Sequence, residues 1–320
     1  MKRRIEAFLH DGGDLRATAL DLYAWQRENV PAYGRFAAGA QPAALHEIPS
    51  VPVSLFKDIV FRTAAEPTAV FRTSGTTSGR RGVHAMPDPE VYELSAELWF
   101  RTLLPDCPTD NTLSLVTDPQ AHPDSSLGHM VALFAPLARW CFFAGQGVDT
   151  EAAWAILAEN DAPLFLPTTA FALAELLEAP GTARLPTGSV LMITGGFKGR
   201  SHTLDHEQLI REALRRLGGR VRVVGEYGMT ELSSQLWDLG DGFLPPPWLH
   251  VYTVDPLTGA PVRGPGLLRF VDLANWGSCL AIETEDIGVV REGRVHLHGR
   301  LEGAGARGCS LTVEESWGRS

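Results

Sequence analysis

The sequence predicts an α/β fold, with mostly parallel strands flanked by helices and a small antiparallel β subdomain at the C-terminal end. Between residues 113 and 224, short apolar runs alternate with amphipathic stretches, and such alternation implies parallel pairing with helices on both faces. From residue 243 onward, prolines and glycines separate short strand-like runs, which is typical of an antiparallel meander. We therefore expect an α/β core over residues 1–242, with a helical segment in residues 1–50, and a β-rich unit with a tail over 243–320.

The individual elements follow from apolar spacing. It predicts helices over residues 15–36, from Asp88 and Pro89 onward, and over 126–140, 151–159, 171–177 and 204–217. It predicts strands over residues 113–116, 163–167, 190–194 and 221–224, and then over 250–254, 267–273, 288–291 and 294–298. In parallel sheets ligands bind beyond the carboxyl ends of the strands. Gly195, Gly196 and the stretch 225–231 fall at that edge.

Composition excludes several classes of protein. The 320 residues carry a net charge of -10, which leaves no basic surface for nucleic acid. No stretch reaches the ~20 apolar residues that a membrane span needs. The four cysteines lack metal-ligand spacing, which disfavours a zinc site and indicates reduced thiols in a cytoplasmic protein.

A run of small polar residues is the first candidate binding segment. Residues 73–82 read Thr-Ser-Gly-Thr-Thr-Ser-Gly-Arg-Arg-Gly. Glycines let the backbone turn with its N–H groups exposed, hydroxyls add donors, and arginines add permanent charge. The stretch predicts a polyphosphate-binding loop made by Thr73, Ser74, Gly75, Thr76, Thr77, Ser78, Gly79 and Arg80; the alternative is a polar surface turn. It is not a P-loop, because the required Gly-Lys-Ser/Thr ending is missing.

The second candidate is the stretch Gly-Glu-Tyr-Gly-Met-Thr-Glu at residues 225–231. Together with the hydroxyl-rich loop it resembles the paired signatures of adenylate-forming enzymes. That resemblance implies the N-terminal domain fold of those enzymes, a core that binds nucleotide and acyl group, and activation of a carboxylic acid by ATP and Mg²⁺. By the same resemblance, Glu231 holds the metal and Thr230 contacts phosphate. Glu226, Tyr227 and Gly228 would bind the adenine end of ATP, together with Gly195 and Gly196.

Two further segments extend the resemblance. Residues 283–288 are similar to the family's Thr-Gly-Asp motif, which makes Asp286 the expected ribose ligand. Gly299 and Arg300 resemble the pair that opens the family's hinge. The following residues depart from the family pattern and lack its lysine.

A shorter branch, the acyl-protein synthetases of luciferase operons (LuxE type), is the most similar. The sequence ends where the mobile C-terminal domain of other adenylate-forming enzymes would begin, and residues 53–57, 122–128, 193–198 and 307–311 resemble that branch. The resemblance implies that Cys309 accepts the acyl group from the adenylate, for a partner reductase. A buried structural cysteine is the alternative. His122 either gates the acyl pocket or only satisfies a loop.

Three functions stay open on the sequence. The leading one is an AMP-forming acyl ligase that transfers a fatty or other acyl group to Cys309 or to a partner's thiol. The second keeps the adenylation but delivers the acyl group to coenzyme A, a carrier protein or an amine. The third is a non-catalytic nucleotide-binding scaffold of a reductase complex, suggested by the missing lysine.

Overall fold

The computed structural model describes residues 1–73, 80–195 and 206–301 of the chain. Its helices are α1 (Lys2–Asp11), α2 (Leu15–Asn29), α3 (Pro31–Phe36), α4 (Glu90–Leu103), α5 (Ser126–Phe134), α6 (Thr150–Glu159), α7 (Ala170–Glu178) and α8 (His206–Leu217). Its first strands are β1 (Val51–Pro52), β2 (Ala69–Arg72), β3 (Val83–Met86), β4 (Leu113–Ser114), β5 (Arg139–Trp140), β6 (Phe142–Phe143), β7 (Gly147–Val148), β8 (Phe165–Thr169) and β9 (Val190–Thr194). The remaining strands are β10 (Arg222–Tyr227), β11 (Leu236–Asp238), β12 (Phe243–Leu244), β13 (Leu249–Val254), β14 (Pro261–Val262), β15 (Gly266–Asp272), β16 (Ala281–Arg291) and β17 (Arg294–Arg300).

A parallel three-stranded core confirms the predicted α/β class. Strand β9 pairs in parallel with β8 on one side and with β10 on the other. Its side chains alternate between two faces. Leu191 and Ile193 pack with residues of α6, α7 and α8, whereas Val190 and Met192 pack with residues of α4 and α5. Helices therefore cover both faces, and the carboxyl ends of β8, β9 and β10 meet at one edge.

The C-terminal strands are antiparallel, as predicted, and they continue the same sheet. The strand order runs β14-β13-β15-β16-β17-β12-β11-β10-β9-β8, with β1 joined to β16. The expected boundary after residue 242 falls between β11 and β12, which are hydrogen-bonded neighbours. The division of the chain into two units stays a prediction.

The N-terminal region differs from the sequence expectation in one respect. The single helix expected over residues 15–36 is wrong, because α2 ends at Asn29 and α3 begins at Pro31. A proline disfavours helical geometry in the residue before it, and its own position suits a first helical turn. Val30 accordingly has φ -117° and ψ 89°. Helix α1 had not been foreseen; Lys2 at its start forms an ion pair with Asp88 at 3.0 Å.

Boundaries also differ in the remainder of the chain, most of all at α5 and β16. Helix α5 ends at Phe134, before Pro136, so the helix expected over residues 126–140 is wrong in its last part, where β5 lies. Proline cannot continue a helix, which explains the early end. Strand β16 begins at Ala281 rather than near residue 288, so Asp286 lies within a long strand. No helix in the described ranges combines the length and the apolar character that crossing a bilayer requires.

Candidate functional site

The hydroxyl-rich stretch is carried by a hairpin of β2 and β3. The two strands are antiparallel, and Arg72 lies opposite Val83. Just beyond them, the Thr73 N–H donates to Gly82 O at 3.0 Å, and the Gly82 N–H donates to Thr73 Oγ1 at 2.9 Å. These bonds close the base of the loop at Thr73 and Gly82. The candidate phosphate ligands Ser74, Gly75, Thr76, Thr77, Ser78 and Gly79 lie outside the described residues.

The base of this loop contacts the second motif. Gly82 is buried against Glu231, and a Cβ added to Gly82 would lie 3.3 Å from Glu231 Oε1 and 3.0 Å from Thr73 Cγ2. The Glu231 side chain is itself buried, at 6% exposure. A carboxylate at this depth needs compensation by a partner or a cation. The fold thus brings together the two segments that the sequence pairs, Thr73 and Glu231.

The two arginines of the loop have different surroundings. Arg80 pairs with Asp58 at 2.7 Å, on the surface. The Arg81 guanidinium donates to Thr73 O at 2.6 Å, to Arg72 O at 3.1 Å and to Asp124 Oδ2 at 2.6 Å. Arg81 therefore fixes the base of the loop. The role of Arg80 in binding phosphate stays a prediction.

The loop that contains His122 is attached to the same hairpin. The Arg72 N–H donates to Asp124 O at 2.9 Å, and Asp124 also receives the bond from Arg81. His122 is partly buried in the turn, where its O accepts from the Ser125 N–H at 3.0 Å. The structure thus places His122 in a segment that is bound to the base of the candidate ATP loop.

Glu226 and Tyr227, both expected at the adenine end, point to opposite faces of β10, because neighbouring residues of a strand alternate. The Thr194 hydroxyl donates to Glu226 Oε2 across the β9–β10 pair. Burial raises the pKa of the Glu226 carboxyl to about 7. A Cβ on Gly228 would lie 2.5 Å from Glu226 Oε1, so glycine at this position leaves room for the buried carboxyl.

Gly195, just after β9, has φ +70°, a left-handed backbone that favours glycine.

The expected ribose contact, Asp286, lies in a cluster of three side chains with Tyr227 and Arg300. The Tyr227 hydroxyl donates to Asp286 Oδ2 at 2.8 Å. Asp286 lies opposite Arg300 in the β16–β17 pair, and Arg300 Nε is 3.8 Å from Asp286 Oδ1. Arg300 is closer to Glu285, with 2.8 Å between Nη2 and Oε2. Burial, and then the charge of Asp286, raise the pKa of Tyr227 well above its usual value. Tyr227 therefore remains a neutral donor.

A buried polar cluster behind the second motif was not foreseen. We define it as Gln26, His84, Asp272, Asn275 and Ser278, whose residues are at most 1% exposed. His84 Nδ1 is 2.7 Å from Thr230 O and its Nε2 is 2.9 Å from Ser278 Oγ. Asn275 Nδ2 donates to Glu231 O at 2.9 Å. The backbone carbonyls of Thr230 and Glu231 are thus each held by a different side chain of the cluster.

The same cluster fixes the residues after Glu231. The Ser233 N–H donates to Asp272 Oδ2 at 3.1 Å and to Asn275 Oδ1 at 2.8 Å, and Ser234 Oγ donates to Asp272 Oδ1 at 2.7 Å. Burial raises the pKa of Asp272 to about 6. The members of this cluster are far apart in sequence, which is why sequence analysis missed it. The one local sign of the cluster is His84, a polar residue in the otherwise apolar strand Val83–Met86.

The remaining site predictions fall where the structure gives no contacts. Gly196 and Cys309 lie outside the described residues. Within residues 1–73, 80–195 and 206–301, no group of three or more His, Cys, Asp and Glu side chains could hold a metal ion. A magnesium ion bound by one or two carboxylates and substrate phosphates does not require such a group. Glu231, buried against the base of the loop, is consistent with that mode of binding.

The chain matches no protein-family model, and no curated protein matches it. Solved structures do match. ATP-bound MatB from Rhodopseudomonas palustris is 21% identical with a TM-score of 0.52, and the match covers 75% of this chain and 49% of MatB. The O-succinylbenzoate coenzyme A synthetase MenE from Bacillus subtilis, in complex with AMP, is 17% identical with a TM-score of 0.51, and the match covers 75% of this chain and 50% of MenE. The chain thus spans about half the length of these structures, and it has the fold of the N-terminal domain of adenylate-forming enzymes.

Proposed function

We propose that this chain activates a carboxylic acid with ATP, forming an acyl-adenylate and pyrophosphate. In this reaction a carboxylate oxygen attacks the α-phosphorus, and the bond from that phosphorus to the bridging oxygen of the β-phosphate breaks. Positioning and charge neutralisation supply most of the catalysis in such phosphoryl chemistry. The observation that carries the proposal is the contact between Gly82, at the base of the hydroxyl-rich loop, and the carboxylate of Glu231.

The candidate site residues divide into three roles in this proposal. The loop that begins at Thr73 and ends at Arg80 would bind the β- and γ-phosphates. Glu231 would hold Mg²⁺, which would neutralise phosphate charge, and Thr230 would contact phosphate. Asp286, fixed by the Tyr227 hydroxyl, would accept hydrogen bonds from the ribose, because adenosine hydroxyls suit a carboxylate acceptor. The ATP and AMP named for MatB and MenE support the proposal that this fold binds a nucleotide.

For the second step, we propose transfer of the acyl group to a protein thiol. The sulfur of Cys309, or of a partner protein, would attack the acyl carbonyl, and the bond to AMP would break to leave a thioester. This step rests on the sequence resemblance to LuxE-type acyl-protein synthetases. A reductase that consumes the thioester would be the partner.

One alternative delivers the acyl group to coenzyme A, a carrier protein or an amine. The structural similarity to MenE, which is named as a coenzyme A synthetase, supports this alternative. Replacing Cys309 by Ala separates the two. Covalent labelling of the chain by radioactive acid should vanish in Cys309→Ala, while ATP–pyrophosphate exchange continues. Labelling that persists in this variant would exclude Cys309 as the acceptor.

The experiment for adenylation is ATP–pyrophosphate exchange by the purified chain with fatty, aryl and amino acids. We expect exchange with at least one acid, and a loss of roughly 100- to 1,000-fold in Glu231→Gln, since removal of one charge-stabilising group costs about that much. Glu28→Gln, at an exposed position of α2, is the matched control and should keep wild-type exchange. No exchange with any acid would instead favour a non-catalytic nucleotide-binding scaffold.

A further inference from the structure

Two backbone carbonyls next to the proposed metal-binding carboxylate are held from different parts of the chain. Thr230 O receives a bond from His84, on the strand that leaves the hydroxyl-rich loop. Glu231 O receives a bond from Asn275, after β15. His84 therefore links the loop hairpin directly to the Thr-Glu motif.

The protonation of His84 follows from its two partners. A carbonyl oxygen can only accept a hydrogen bond, so Nδ1 carries the proton and donates to Thr230 O. Burial lowers the pKa of His84 to about 4, so the ring is neutral and Nε2 accepts from the Ser278 hydroxyl. The ring also packs edge-on against Phe56, with 6.0 Å between ring centroids. Both ring nitrogens are satisfied, and the ring is held in one orientation.

We propose that His84 is a positioning residue that sets the distance between the base of the hydroxyl-rich loop, at Thr73 and Gly82, and the carboxylate of Glu231. The proposal rests on the proposed adenylation, because only there does that distance control chemistry. A His84 that moved would let Thr230 and Glu231 shift away from Thr73 and Gly82. The Glu231 carboxylate would then no longer lie at the right distance from the base of the loop to hold an ion that is bound to phosphate.

The bond from Nδ1 allows a test by two near-isosteric variants. The Asn amide nitrogen occupies the position of Nδ1, so His84→Asn can still donate to Thr230 O. The Gln amide lies near the position of Nε2, so His84→Gln can reach Ser278 but leaves Thr230 O without its donor. If His84 only filled space, Gln, the larger residue, would be the better replacement.

We expect kcat for ATP–pyrophosphate exchange to fall roughly 10- to 100-fold in His84→Gln, which is the usual effect of losing an outer partner of a metal ligand. His84→Asn should keep most of kcat, and the KM for ATP should change less than kcat in both variants, because the loss concerns the transition state. The same two substitutions at His250, a partly buried histidine of β13, are the matched control and should leave exchange unchanged.

A second readout does not need ATP. Amide hydrogen exchange over residues 229–234 of the free protein should be faster in His84→Gln than in His84→Asn or wild type. Equal kcat in the Asn and Gln variants, or equal hydrogen exchange, would overturn the positioning role. If wild type showed no pyrophosphate exchange with any acid, the proposed function would fail, and the hydrogen-exchange comparison would still decide whether His84 holds the motif.

Discussion

At the scale of single residues, the site contains two buried carboxyl groups whose charge is disfavoured. Glu226 is 4% exposed, and its described contact is the Thr194 hydroxyl. Asp272 receives several hydrogen bonds, and burial still raises its pKa to about 6. A hydroxyl offers less stabilisation to a carboxylate than an opposite charge does. Folding therefore favours the protonated form of Glu226, whose pKa burial raises to about 7.

The free energy of unfolding should consequently fall as pH rises through the pKa of Glu226. The ordinary pKa of a glutamate is 4.5, so between about pH 4.5 and 7 the folded chain binds a proton that the unfolded chain has lost. The free energy of unfolding then decreases by up to about 1.4 kcal/mol per pH unit. We expect Glu226→Gln to lack this part of the decrease, so its stability relative to wild type should be higher at pH 8 than at pH 5.

Urea unfolding of both proteins at pH 5, 6, 7 and 8 measures the difference. Asp272 titrates in wild type and variant alike, so it cancels. Glu28→Gln, at an exposed position of α2, serves as the control and should follow the wild-type pH dependence. If the Glu226→Gln and wild-type curves ran parallel, Glu226 would be ionised in the folded protein throughout this range.

At the scale of elements, the hairpin of β2 and β3 is fixed by one planar side chain. Arg81 donates to Thr73 O, to Arg72 O and to Asp124 Oδ2, so a single guanidinium joins both strands of the hairpin to the loop that carries His122. A lysine has the same charge but presents its donors from one nitrogen, and it cannot reproduce this geometry.

Arg81→Lys should therefore weaken nucleotide binding more than it weakens folding. Loss of two of the three bonds, at about 1 kcal/mol each, predicts that the KM for ATP in pyrophosphate exchange rises by up to roughly 30-fold, with a small change in Tm. Arg101→Lys, at an exposed pair on α4, is the matched control. An unchanged KM would show that the hairpin keeps its position without the guanidinium.

The sequence predicted those elements whose signals are local. Strand β9 has the predicted bounds, because four apolar residues and a threonine end at a glycine pair, and α8 ends at the predicted Leu217. The break between α2 and α3 was missed although Pro31 marks it. Helix α1 was missed because its apolar residues, Ile5, Phe8 and Leu9, are few among charges.

The candidate site was predictable only in part, for the same reason. Motifs at 73–82 and 225–231 are continuous stretches, so they could be read directly, and the contact of Gly82 with Glu231 agrees with their pairing. The buried polar cluster has no such signal. Its members bond across the whole chain, as Gln26 does to the backbone of Asn275, and single-sequence patterns carry no information on such pairs.

At the scale of the whole molecule, the N-terminal segment is bound to the centre of the site. Gln26 of α2 is fully buried, and its Nε2 donates to Asn275 O at 2.8 Å and to Trp276 O at 3.0 Å. Its Oε1 accepts from the Leu280 N–H at 2.9 Å. Helix α2 thus holds the turn from which Asn275 binds Glu231 O.

Gln26→Ala should destabilise the protein by about 2–4 kcal/mol, because it leaves buried backbone groups without partners. Urea unfolding measures this loss. Gln120→Ala, at an exposed position, is the control and should change stability by less than about 0.5 kcal/mol. If Gln26→Ala lowered the free energy of unfolding by as little as the control does, water would be replacing the missing amide.

The pairing of β11 with β12 has a consequence for any attempt to separate the two halves of this chain. Cutting after residue 242 would expose unpaired N–H and C=O groups on both fragments, and bare strand edges promote association between chains. Each fragment should precipitate when it is expressed alone. The two fragments should recover the native fold when they are refolded together.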